Sequence, residues 1–218
     1  DMTCTCPVES PAANAAETLP WTFAEFGYTR ADGTEEVETD AYSLFASVGF
    51  LGKWHAQLEW TDGEADVDGA SDDPDFDGYR LVVGAHPQIT DNTQLRIDLT
   101  YFDYDGSEGS GDFQQDGYGI GFGLRHAFSP KFEATAQLWY VEGNFESSGP
   151  FFNFDEDFND TYLEFQGRYN WTRNLSTGLT YQLDGGALGS ATSSYGSGDA
   201  IRFDARWSFG NNALSDLK

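Results

Sequence analysis

The sequence predicts an all-β protein: a single antiparallel up-and-down transmembrane β-barrel of ten strands. Eight strands are the alternative if the first or ninth segment is misplaced. Three observations predict this fold. Strand-length segments alternate apolar and polar residues. Tight turns and long acidic stretches follow one another between them, which gives a barrel one short rim and one long rim. On the apolar face the aromatic residues sort by depth into two rings around an aliphatic band, as two membrane–water interfaces select.

The elements follow in order. Residues 1–19 are small and polar without periodicity and read as an N-terminal tail before a barrel over 20–210, with 211–218 as a C-terminal tail. The first strand, 21–30, sets Trp21 and Phe23 out of phase with Phe26 and Tyr28, which a bulge or a mixed face would reconcile. The second covers 40–50. The third, 54–61, sets Trp54, Ala56, Leu58 and Trp60 against His55, Gln57, Glu59 and Thr61. The fourth (78–86) and fifth (93–102) oppose Leu81 and Val83 to Arg80, and Ile97 and Leu99 to Arg96 and Asp98. The sixth, 117–128, sets Tyr118, Ile120 and Phe122 against Gly119, Gly121 and Gly123, a stripe that leaves room for a large neighbour such as Trp139. The seventh (132–141), eighth (161–171), ninth (175–183) and tenth (200–209) complete the wall.

The short connections are Leu51-Gly52-Lys53, Pro87 to Asn92, Ser129-Pro130-Lys131 and Thr172-Arg173-Asn174, rich in turn-forming Pro, Gly and Asn. The long ones are 31–39, 62–77, 103–116, 142–160 and 184–199, which carry 25 of the 37 acidic residues and none of the 11 Lys and Arg. An even strand count returns both chain ends to the short rim. Tyr42, Trp60, Tyr79, Tyr101, Tyr118, Tyr140 and Tyr181 form the ring at the long rim. Phe50, Trp54, Phe128, Phe132, Trp171, Trp207 and Phe209 form the ring at the short one.

The face opposite the apolar one carries Arg80, Arg96, Arg125, Arg168, Arg202 and Arg206, with Glu59, Asp98, Glu133, Glu164 and Asp204, and Glu25 if the first strand is in phase. This near balance, with Arg as its only cation, predicts an enclosed lumen tied by ion pairs, since Arg makes fixed bidentate pairs with carboxylates. Unpaired, each buried charge would cost several kcal/mol, so partners are expected on neighbouring strands.

Net charge is −26, which disfavours nucleic acid and anionic partners and favours cations. Aromatic content of 16% argues against a disordered acidic chain. No run of about 20 apolar residues is present, which leaves barrel strands open as the way across a membrane. The start at Asp1 is consistent with a cleaved secretory signal or a trimmed chain. Cys4 and Cys6 suit a local disulfide, a link to another chain or free thiols.

The paired segments HPQITDNTQLRIDLTYFDYDG and NWTRNLSTGLTYQLDG and the terminal IRFDARWSFG resemble small bacterial outer-membrane β-barrel proteins, the class of the OmpA transmembrane domain, OmpX and opacity-type proteins. The resemblance covers about residues 20–210 and is one of pattern. It implies a Gram-negative outer membrane, with long loops at the cell surface and chain ends in the periplasm. It also implies a terminal aromatic read during assembly, here Phe209 with nine residues after it. It implies no single function, because the class holds scaffolds, adhesins, narrow channels and enzymes.

One motif suggests a metal. Glu64, Asp66, Asp68, Gly69, Asp72 and Asp75 follow the oxygen-ligand spacing of a Ca²⁺-binding loop, with Glu at the first position, Asp at the last and Pro74 inside. A solvated acidic loop is the alternative. His55, His86 and His126 all lie near the short rim, away from the acidic loops, so no enzyme is expected. The expected role is structural or interactive. Acidic loops would bind divalent cations, lipopolysaccharide or a partner, and the 142–160 loop, with its five Phe, would dock a protein or fold over the mouth. A monomer is expected. The rival is a narrow, cation-preferring, porin-like channel.

Overall fold

The computed structural model describes residues 20–32, 37–67, 74–108, 111–149, 153–183 and 199–209. Both predicted tails, with Cys4 and Cys6, lie outside them.

Among the described residues eleven strands form one antiparallel sheet: β1 (Phe23–Asp32), β2 (Val37–Phe50), β3 (Trp54–Val67), β4 (Asp75–Ala85), β5 (Gln88–Thr90), β6 (Thr93–Glu108), β7 (Gly111–Ser129), β8 (Phe132–Ser148), β9 (Asn153–Asn170), β10 (Leu175–Leu183) and β11 (Asp199–Ser208). Pairing of β1 with β11 and of β4 with β6 closes ten of them into a barrel, which removes every sheet edge. The exception, β5, is three residues of the expected 87–92 turn that pair with the start of β6. Phe23 pairs with Ser208, and the Phe209 amide donates to the Thr22 carbonyl, so both ends of the wall sit at the short rim.

The first strand is a mixed face, not a bulge. Its register with β2 and β11 is unbroken from Phe23 to Asp32, and Trp21 and Phe23 point inward, buried, while Phe26 is half exposed on the outside. Elsewhere the outward face carries Leu58, Leu81, Leu99, Phe122 and Leu138, all exposed, between the two aromatic rings.

The strands run further than expected. The acidic stretches 62–77, 103–116 and 142–160 are mostly hairpin rather than loop: the ladder continues to Val67, to Glu108 and from Gly111, and to Ser148 and from Asn153. At 19 residues, β7 is about twice the 9–11 that a tilted strand needs to cross a bilayer. The alternation survives into these extensions because its sense reverses. Asp75, Asp77, Asp103, Asp105, Asp112 and Glu146 face out, and Phe76, Tyr104, Phe113 and Phe145 face in.

Candidate functional site

The interior divides into two layers. Towards the short rim it is charged. Glu25, placed inward by the phase of β1, is the hub: Arg206 Nε donates to its Oε2 at 2.7 Å and Arg168 Nη2 at 2.9 Å. Arg202 Nη2 stands 4.0 Å from its other oxygen. Arg168 Nη2 also lies 2.6 Å from Asp204 Oδ1. Arg125 Nη2 donates to both oxygens of Glu133, at 2.7 and 2.9 Å. Arg96 and Gln137 both donate to Asp98 Oδ2 at 2.7 Å. Glu59 lies 3.9 Å from Arg202. Arg80 pairs with no carboxylate within 4 Å among the described residues; its Nε donates to Thr100 and its guanidinium lies 4.5 Å over the Trp139 ring. Glu164 lines the central cavity beside Arg80 and Arg202.

The partners are not confined to neighbouring strands. Arg168 on β9 reaches Asp204 on β11 across β10, because the residue between them in register is Gly178. A Cβ there would stand 2.8 Å from Asp204 Oδ1 and 2.9 Å from Arg168 Nη2. Gly84 plays the same part between His55 on β3 and Asp98 on β6, whose Nε2 and Oδ1 are 3.1 Å apart. Inward glycines are thus windows through which long side chains meet over an intervening strand. Gly121 serves the Trp139 ring in the same way.

Sequence reasoning missed a second group in this layer. Trp21 stacks on His55 and on His86, with ring centroids 4.2 and 4.1 Å away, and donates its indole N–H to Gln94. The two imidazole Nδ1 atoms are 3.1 Å apart. The out-of-phase Trp21 was the available signal. Burial, with His55, Arg125 and Arg96 nearby, pushes the pKa of His86, one residue past the end of β4, down to about 3.

Towards the long rim the interior is aromatic. Phe76, Phe102, Tyr104, Phe113, Trp139, Phe145 and Tyr162 cluster with Val82, Val141 and Ala41, and Phe158 packs against them. Phe145 and Phe158 therefore lie within the mouth, Phe154 is half exposed beside Phe145, and Phe151 and Phe152 lie outside the described residues. Between the layers is a cavity of about 50 Å³.

Of the Ca²⁺ pattern, Glu64 and Asp75 face one another across β3 and β4, and Asp66 faces Glu38. Asp68, Gly69 and Asp72 lie outside the described residues. Among those described, no three carboxylate, His or Cys groups come together to hold an ion.

Residues 23–126 match the family described as outer membrane protein beta-barrel domain. No curated protein matches the chain. Among solved structures, the NanC porin aligns with TM-score 0.50 and 10% identity over 85% of this chain and all of that one. The translocator domain of the autotransporter NalP from Neisseria meningitidis aligns with TM-score 0.51 and 9% identity over 86% of this chain and 87% of that one. At these identities the likeness is one of fold. The closed ten-strand wall gives this chain the fold of a small β-barrel, and over residues 23–126 it is similar to the outer-membrane β-barrel family.

Proposed function

We propose that the protein is a plugged outer-membrane barrel with a structural and interactive role, not an enzyme or an open pore. It stands in a bacterial outer membrane, hairpin extensions outside and chain ends in the periplasm. The carrying observation is the furnished bore: a charged layer and an aromatic layer meet across a cavity of about 50 Å³, small beside the side chains that reach into it from both sides. The rival cation channel would also have to discharge through a rim lined by Arg and Lys. Against an enzyme stands the placement of His55 and His86 deep at the short rim, far from substrates arriving at the surface. Reconstitution into a planar bilayer tests the reading. Silence is expected; a steady cation-selective conductance lost on neutralising Glu59 and Glu164 would replace it with the channel. Heat-modifiable mobility of membrane-extracted protein checks the class.

Outside, the extensions would hold divalent cations, including Ca²⁺ at Glu64, Asp66, Asp68, Asp72 and Asp75. Like charges directly opposite on a sheet destabilise it, and Glu64 facing Asp75 is such a pair. The same carboxylates would bridge through cations to lipopolysaccharide. A cationic protein segment would suit the groove at the ends of β7, β8 and β9, where Phe113 and Phe154 lie among Asp112, Glu146 and Asp155. Addition of Ca²⁺ should raise the unfolding midpoint, and Glu64→Gln with Asp75→Asn should abolish that rise.

A further inference from the structure

The short rim opens into a second cavity, of about 310 Å³, in the size range of small-molecule sites. Five of the 11 Lys and Arg in a chain of net charge −26 line it: Arg125, Arg168 and Arg206 from the wall, Lys131 and Arg173 from two turns. Glu133 is the one carboxylate among the described lining residues. Glu25 and Asp204 hold Arg206 and Arg168 from deeper inside. Among the described residues these three carboxylates match the three wall arginines and leave Lys131 and Arg173, at the cavity's mouth, without an anionic partner. The three wall arginines are almost wholly buried, with 3%, 1% and 7% of the residue surface exposed. Two cations left over at the mouth of a concave, Arg-lined cavity give it a positive field that draws an anion in. Arg168 Nε is buried and makes no hydrogen bond among the described residues, standing 3.8 Å from Glu133 Oε1, and Asn170 and Ser176 add neutral polar groups to the wall.

We propose that this cavity is a binding site for a phosphate monoester. A phosphate carries close to two negative charges at neutral pH and three acceptor oxygens, and guanidinium forks bind it in bidentate fashion. Its charge matches the two mouth cations, Lys131 and Arg173, and a single carboxylate would offset only one of them. The phosphate has two sources: a soluble phosphorylated compound entering the rim, or the headgroup of a lipid in the adjoining leaflet. Trp171, which lines the cavity and is 61% exposed, stands where such a lipid would lie.

Titrating the full chain in non-ionic micelles separates the sources. One arm adds glycerol phosphate in solution, read by calorimetry. The other mixes phosphatidic acid into the micelles, read by tryptophan emission. Saturable one-site binding is expected in at least one arm, and the arm in which it occurs names the source. Lys131→Gln with Arg173→Gln, both exposed on turns, should weaken it roughly tenfold, about 1.4 kcal/mol. Lys53→Gln, a turn cation outside the cavity, should leave it unchanged. No saturation in either arm, or an equal loss in the Lys53 variant, overturns the site.

Discussion

The lower and upper halves of this barrel wall share one backbone and invert one another. Below the tyrosine ring, Leu81, Val83, Ile97 and Leu99 face out, and Arg80, Arg96 and Asp98 face in. Above it, Asp77, Asp103 and Asp105 face out, and Phe76, Phe102 and Tyr104 face in. The difference teaches that the outer medium decides the sense of the alternation. In the proposed membrane placement hydrocarbon accepts only apolar side chains on the lower wall, which leaves the bore there to be held by ion pairs. Water outside restores the usual rule, and the same strands bury an aromatic core as a soluble barrel does. The tyrosines mark the crossing: Tyr28, Tyr79, Tyr118 and Tyr181 donate their hydroxyls to Asp40, Asp103, Glu142 and Asp199 just above them.

The largest expected effect tests the lower half. Glu25→Ala strips the hub from Arg168, Arg206 and Arg202 and should cost about 3–5 kcal/mol, because buried charge is left without a partner. Urea unfolding in micelles measures it, and a cost under about 1 kcal/mol would mean that the pairs do not hold the bore. In the upper half, Phe145→Ala should cost about 3 kcal/mol, the low end for a buried aromatic, since water can enter near the hairpin ends. Amide exchange should rise in the upper parts of β8 and β9 and stay unchanged below the tyrosine ring. If the whole wall loosened together, the two halves would be one unit.

The windows come next. Gly84→Ala would place a Cβ 2.7 Å from the His55 ring and should cost about 1–3 kcal/mol by overpacking. A smaller effect appears with pH. His86 stays neutral when folded down to about 3, whereas the unfolded chain takes up the proton near 6.5. Its contribution is therefore absent above about 6.5 and turns unfavourable as pH falls towards 3. The gap in urea midpoint between the wild type and His86→Gln should shift in favour of the variant from pH 7 to pH 5.

How much of this was legible depends on which face carried the signal. Strand positions and both aromatic rings were readable because the outward apolar residues alternate cleanly from Leu58 to Trp60 or from Phe122 to Leu124. The ends were not, because reading one face stops where that face turns acidic, at Asp62 or Asp103, although Phe76, Tyr104 and Phe145 carry the period on from the other side. Inward charges could be named from parity alone. Their partners could not, since a pair such as Arg168 and Asp204 depends on the register of a third strand and on the glycine it supplies.

The smallest effect concerns the outer carboxylates, where the inversion leaves a cost in the upper half that the lower half lacks. Asp62, Asp77 and Asp105 stand directly opposite one another on β3, β4 and β6, with no cation among them. Burial, then Asp103 and Asp77, raises the pKa of Asp105. A carboxyl with a raised folded pKa costs stability where it is ionised and returns it as pH falls through that pKa, the opposite sign to His86. Asp77→Asn should therefore stabilise the barrel by about 0.5 kcal/mol at pH 7. The gain should fade in high salt, which screens exposed charges, and in millimolar Ca²⁺, if a divalent ion already spans the row. A gain that persisted in both would place its origin in strand propensity, and the row would then cost nothing as charge.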